Sequence, residues 1–428
     1  MIDTVVICAT AIILVILLGY LTKTNIGLWA IAAAYLLGVF VLGIKPGDII
    51  NLWPIKIFLM LFSVTFFYGY AALNGTLEKL SLKVVYSSRQ IPWLIAVVLF
   101  IIAFILSAVG AGEGPMVILI PIAISIAKIS GMNYFLAAVS VISGIGIGGF
   151  SPISPVGIYV RELADQVGAY GPDSVNAYAN MAMFQAAVLF SVVFVLSYFI
   201  FKGYKVNPPV LDKPEPFSSQ QIKTLALIGL FAGVLLLTPL LKTIFPTAPF
   251  VTKLNANIYL VFIAFILSII ARLLKLGDEK KAFERVPWHA LTTICGMGML
   301  IAVVGKSGAI EMMSGYLSNS SLPAGLVQVL IAVFSGIMSL FVSGFVVLPT
   351  FFTLVPGLAT GLAINPGILF AAISVGSICT AVSPFSGMGG LVVASIDNEK
   401  KRNRIFNGLL IWPFINMLIY IGLILMGI

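Results

Sequence analysis

Apolar runs of roughly twenty residues, separated by short polar breaks, recur along nearly the whole chain. With no alternation of period two, runs of this length predict helices that are apolar all round rather than strands. The runs lie near residues 3–21, 26–43, 54–73, 133–160, 176–201, 221–240, 256–274, 289–306, 365–396 and 406–427. Two further apolar stretches, 92–127 and 323–362, carry a glycine-containing polar centre. In the first, the return arm 116–127 rises only about 18 Å as a helix, against a hydrocarbon core of roughly 30 Å. Both stretches therefore read as re-entrant hairpins. The expected fold is an all-α polytopic membrane protein with about 10 transmembrane helices and two such hairpins.

Composition agrees with this pattern. Of 428 residues, 60% are hydrophobic and 9% charged, and mean hydropathy is +1.13, which excludes an ordinary soluble domain. The first run has no basic residue ahead of it and no small-residue cleavage pattern after it, so it reads as the first span rather than a removable signal peptide. Cys8, Cys295 and Cys379 lack metal-type spacing and read as packing residues. No P-loop, metal cluster or nucleophile motif supports an enzyme. The only cofactor to consider is a possible Na+ acting as coupling ion.

The net charge of +9 matters here through its placement, and no nucleic-acid partner is expected. With the amino terminus outside, six basic residues face outward (Lys45, Lys56, Arg161, Lys242, Lys253, Lys306) and the other eighteen of the 24 face the cytoplasm, as the positive-inside rule requires. Both termini are then outside. The proline-rich segment 204–220 reads as a cytoplasmic linker between an N-terminal unit, 1–203, and a C-terminal unit, 221–428. At an offset of about 233 residues Pro54 matches Pro287, Gly75 and Glu78 match Gly308 and Glu311, Pro121 matches Pro356, AAVSV (137–141) matches AAISV (371–375), and SPIS (151–154) matches SPFS (383–386). With five spans in each unit, these matches predict an inverted-topology repeat, the architecture of alternating access.

The candidate chemistry lies where helices break. SGIGIGGFSPISP (143–155) and GSICTAVSPFSG (376–387) place prolines, glycines and serines inside apolar runs. Broken backbone at membrane depth is tolerated only against protein or a water-filled cavity. There, carbonyls can coordinate a cation, while N–H groups and hydroxyls can hold an anion. A proline kink with serines bonded back to the previous turn would leave the same pattern. In the turn SAVGAGEGP (107–115), Glu113 is the one acidic residue placed at membrane depth. A charge there costs on the order of 3 kcal/mol, so it reads as a cation ligand, a coupling proton carrier or a helix cap. The expected cation-binding residues are Ser107, Gly110, Gly112, Glu113, Gly146, Gly148, Ser377 and Thr380. The expected substrate-binding residues are Ser151, Pro152, Ser154, Ser343, Thr350, Ser383, Pro384 and Ser386.

NGTLEKL (74–80), SAVGAGEGP and GGFSPISPVGI (148–158) resemble the ion-transporter superfamily and, within it, the malonate and dicarboxylate carriers of the MatC type. The resemblance implies a secondary transporter in a bacterial inner membrane, working as a homodimer by an elevator motion. It would symport Na+ or H+ with a small organic anion, a di- or tricarboxylate such as malonate or succinate. Related divalent-anion symporters carry Ser-Asn-Thr at each hairpin tip, where this chain has GAGEGP and VSGFVVLPT. Either Glu113 is the coupling group or the substrate is not a dicarboxylate. A cation/proton antiporter, and a channel or membrane subunit served by a soluble binding protein, are the alternative functions.

Overall fold

The computed structural model describes all residues except 1, 210, 246, 309–322, 342–343, 381, 385 and 397. Every regular element among the described residues is helical. Helices α1 (Ile2–Thr22), α2 (Ile26–Leu36), α3 (Pro46–Ile50), α4 (Ile55–Leu73) and α5 (Thr76–Ser87) are followed by α6 (Ile95–Leu106), whose last carbonyls pass into a wider turn at Ser107–Ala111. Next come α7 (Pro115–Ser130), α8 (Tyr134–Gly148), α9 (Pro155–Gln166) and α10 (Pro172–Ile200). After an irregular stretch the chain continues with α11 (Ser219–Ile244), α12 (Pro249–Asn257), α13 (Leu260–Leu273), α14 (Glu279–Glu284) and α15 (Trp288–Gly305). The last described helices are α16 (Ala324–Phe341), α17 (Gly344–Phe352), α18 (Val355–Leu362), α19 (Pro366–Ile378), α20 (Gly387–Ala394) and α21 (Glu399–Leu425).

Local sequence sets many of these boundaries. Asn133 and Asn365 cap α8 and α19 by accepting from Phe135 N and Gly367 N, each at 2.8 Å, and Ser218 with Gln221 forms a reciprocal capping box on α11. α6 packs closely on α8, α16 and α10 on α19, and α2 on α15. In the last pair a Cβ on Gly27 would meet Thr292 O at 2.1 Å and one on Gly296 would meet Gly27 O at 2.3 Å, so glycine lets the two backbones touch. A large core joins most helices, and a smaller one unites α1, α2 and α15 around Cys8, Ala34, Met297 and Val303. Large apolar side chains such as Phe40, Phe262, Leu273 and Leu418 point outward, as a lipid environment allows. The chain is an integral membrane protein.

The expected count of about 10 spans is overturned. Among the described residues, five helices are long and apolar enough to cross a bilayer: Pro46–Leu73, Pro92–Ala111, Pro172–Ile200, Trp288–Gly305 and Glu399–Leu425. A sixth is added if Gly344–Phe352 and Val355–Leu362, bent by 46°, are one span. The physical reason is that apolar runs continue across breaks that helices do not. The run 133–160 is divided between α8, of 15 residues, and α9, of 12; at 1.5 Å per residue α8 reaches only about 22 Å. The re-entrant hairpins are not found either, since Pro92–Ala111 is itself long enough to cross, with 20 residues. Nor does an inverted repeat emerge, because three of the five spans precede residue 204 and two follow it. Glu311, one of the matched positions, lies outside the described residues.

Candidate functional site at two helix breaks

α8 stops at Gly148 and α9 starts at Pro155. Pro152 and Pro155 bring no N–H, and the intervening chain turns on Ser151 N to Gly148 O and Ser154 N to Ser151 O, both 3.0 Å. The break is fastened to the end of α6. Ser151 Oγ donates to Ala108 O at 2.6 Å, Ser107 Oγ donates to Ile145 O at 3.3 Å, and Tyr68 Oη donates to Val109 O. Ile145 O already accepts from Gly149 N at 2.8 Å and takes Ser107 as a second donor, while the bonds to Ala108 O and Val109 O give donors to carbonyls at the end of α6. The chain then reverses through Gly110 (φ 110°) and Gly112 (φ 58°). Glycine is required there on both conformational and steric grounds, since a Cβ on Gly112 would lie 2.9 Å from the Pro155 ring.

Glu113 stands in this reversal and is half-buried. Its side chain faces two spaces. On one side is a cavity of about 490 Å³, lined chiefly by α4 (Leu61, Thr65, Tyr68), the 110–118 segment, Pro155 and Val156, with the exposed Glu78 and Arg285 also on its wall. On the other is a void of about 30 Å³, walled apart from Glu113 by Gly146, Gly149 and apolar side chains such as Ile142, Phe190, Ile378 and Met388, with the volume of one water or a small ion. No ion pair to Glu113 forms among the described residues. The other carboxylate deep in this part of the molecule, Glu162, is paired with Lys56 at 2.9 Å. Ser154, which precedes Pro155 at the start of α9, is fully buried and its Oγ has no hydrogen-bond partner among the described residues.

The second break lies between α19 and α20. Its hydroxyls turn inward on their own backbone: Ser377 Oγ to Ser374 O at 2.8 Å, Thr380 Oγ1 to Ser377 O at 3.3 Å and Ser386 Oγ to Ser383 O at 2.7 Å. Ser386 also accepts from Gly389 N at 3.0 Å and so caps α20. Asn416 of α21 donates to Cys379 O at 3.1 Å. Ile378 and Met388 carry this break to the small void beside Glu113, so the two breaks meet there.

Of the expected cation residues, Ser107, Gly110, Gly112, Glu113 and Gly146 gather around the α6–α7 reversal and its two spaces. Gly148 instead lets α8 approach α6, where a Cβ would fall 2.4 Å from Phe104 O; Ser377 and Thr380 sit in the second break. Of the expected substrate residues, Ser151 and Ser154 lie at the first break and Ser383, the buried Pro384 and Ser386 at the second, while Pro152 is exposed. Thr350 bonds back along α17 to Val346 O at 3.1 Å and lines none of these spaces. Ser343 lies outside the described residues.

Sequence reading missed Tyr68, Asn416, Gly157 and Gly389. The first two act across 41 and 37 residues of chain, and nothing local marks them. The glycines had a signal: both breaks read Ser-Pro-x-Ser-x-x-Gly, 151–157 and 383–389. In each, a Cβ on the glycine would lie 2.0 Å from the carbonyl oxygen of the leading serine. The glycine lets the new helix close back onto its own break. No group of three or more His, Cys, Asp or Glu that could hold a metal ion occurs among the described residues.

Comparison with known proteins agrees with this architecture. The profile of a family described as dicarboxylate carrier protein MatC N-terminus matches residues 2–149, a segment that includes Glu113 and α8 and ends as the first break begins. The crystal structure of the YdaH transporter of Alcanivorax borkumensis superposes with a TM-score of 0.58 at 14% sequence identity, covering 88% of this chain and 86% of that one. No curated protein matches the chain. The protein thus shares the fold of the YdaH transporter, and its N-terminal third is similar to the N-terminus of dicarboxylate carrier protein MatC.

Proposed function

We propose that the protein is a secondary transporter that symports Na+ or H+ with a small organic anion, a carboxylate, by alternating access. The observation that carries this reading is the position of Glu113: an unpaired carboxylate between a substrate-sized cavity and an ion-sized void, where two helix breaks meet. At the start of α9, Pro155 and Val156 form part of the cavity wall, and the positive end of the helix favours an anion there; the unpartnered, fully buried Ser154 hydroxyl is one residue earlier in the chain. The name of the similar family, dicarboxylate carrier protein MatC, points to the same substrate class.

Coupling follows from electrostatics. Two like charges about 4 Å apart repel by about 4 kcal/mol at an effective dielectric constant near 20, about a thousandfold in affinity. An anion at α9 therefore binds well only when Glu113 carries a proton or a cation fills the void beside it. Purified protein in liposomes, given labelled malonate, succinate or citrate with an imposed sodium or proton gradient, tests the reading. Uptake of at least one of them should follow the gradient and stop when an ionophore collapses it. Cation–proton exchange with no anion uptake would replace this reading with an antiporter.

A further inference from the structure

A second cavity of about 430 Å³ lies beyond the first along the same three helices. On α9, Pro155 and Val156 line the first cavity, and Leu163, Gln166 and Val167 the second. On α15 the first takes Ala290, Leu291 and Ile294, the second Gly298, Ile301, Ala302 and Gly305. On α17 the division falls between Phe345 and Pro349. The positions follow helical spacing, so each helix presents one continuous face to both cavities and changes over within two turns.

What occupies the changeover is closed. Tyr159, on the α9 face between Val156 and Leu163, is fully buried. Its ring packs against Phe345 with centroids 5.6 Å apart, and its hydroxyl donates to Phe345 O at 2.7 Å. That carbonyl needs a donor from elsewhere: its helical partner would be the N–H of residue 349, which is proline. Tyr159 replaces the missing amide and is held across the gap by doing so. On α15, Cys295 falls on the line Leu291, Cys295, Gly298, Ala302 and is also fully buried, although its neighbours along that line face one cavity or the other.

We infer that the two cavities are the two ends of one translocation path and that Tyr159, pinned to Phe345, is the barrier that keeps them apart. This rests on the transport reading, and it adds which residue prevents leakage. With the barrier in place, solute in one cavity has no continuous route to the other, a requirement of any coupled carrier.

Cys295 reports on the barrier independently of transport. In a protein carrying Cys8→Ala and Cys379→Ala, Cys295 remains the one thiol. The solubilised protein is exposed to a hydrophilic methanethiosulfonate reagent, which can enter both openings. Cys295 should react slowly with Tyr159 intact and in Tyr159→Phe, which keeps the ring, and at least tenfold faster in Tyr159→Ala. Phe345→Ala, which opens the same layer from α17, should give the same acceleration and serves if Tyr159→Ala does not fold. In liposomes, either alanine variant should let the carboxylate run down its own gradient with no cation gradient present. Labelling no faster in the folded alanine variant than in Tyr159→Phe, or labelling of the parent at the rate of an exposed thiol, would overturn the inference. Absence of uptake by the parent would instead contradict the transport reading and leave the labelling result standing.

Discussion

The two helix breaks begin with the same four-position pattern of serine, proline, serine and glycine, yet they are finished differently. In the first, Ser151 and Ser107 make hydrogen bonds between the α8 segment and the end of α6, Ser154 is left without a partner among the described residues, and the unpaired Glu113 stands in the reversal that follows α6. In the second, Ser377, Thr380 and Ser386 bond to carbonyls three residues back, and no acidic group lines its void apart from Glu113 itself. The lesson is that the motif creates open backbone, while what surrounds it decides whether that backbone is chemically available. The first break has polar groups to offer a ligand, and the second has largely consumed its own.

The substitution that should separate them most is Glu113→Gln. With a neutral side chain the anion no longer needs a proton or a cation beside it, so gradient-driven accumulation should be lost, whereas Ser377→Ala at the second break should leave more than half of it. Uptake assays on both variants in liposomes check this.

Next in size is a packing contrast. Gly148→Ala forces a Cβ to within 2.4 Å of Phe104 O, while Gly387→Ala meets nothing nearer than Met116 Cε at 3.6 Å. The first should cost about 1–3 kcal/mol and the second less than about 0.5 kcal/mol, read from thermal or denaturant unfolding in detergent.

Two serines at equivalent positions should then behave oppositely. Ser386→Ala removes the cap on α20 and should cost about 1 kcal/mol of stability. Ser154→Ala removes a buried hydroxyl with no partner, so stability should hold or rise by up to about 1 kcal/mol while the substrate KM rises several-fold. Equal loss of stability in both would show that Ser154 is structural.

The smallest effect concerns the link between α4 and α9, where Lys56 meets Glu162 at 2.9 Å and Asp165 at 3.1 Å. With Lys56 and Asp165 nearly half exposed, Asp165→Asn, which leaves the buried Glu162 paired with Lys56, should change stability by no more than about 1 kcal/mol. A larger loss would mean that the first break depends on this anchor as well as on α6.

Much of the first break was legible in the chain. Pro152 and Pro155 cannot continue a helix and Gly110 and Gly112 favour a reversal, so both the interruption and the exposure of Glu113 follow from residue chemistry. Helix length was less legible, because hydropathy is blind to hydrogen bonding: residues 133–160 are apolar almost throughout, yet Gly149–Ser154 breaks them into two helices. Least legible were partners distant in sequence. Tyr159 completes a carbonyl that Pro349 leaves open, 186 residues separating Tyr159 from Phe345, and Asn416 does the same kind of work for Cys379. In each case the local pattern shows that a partner is needed and only the fold supplies which one.

The central claim is that Glu113 couples cation and anion at the meeting of the two breaks. Carboxylate uptake into liposomes by the parent protein and by Glu113→Gln, each with and without a sodium or proton gradient, tests it most directly. The account predicts gradient-driven accumulation by the parent and none by the variant, with the variant still folded. Equal accumulation by both would contradict it.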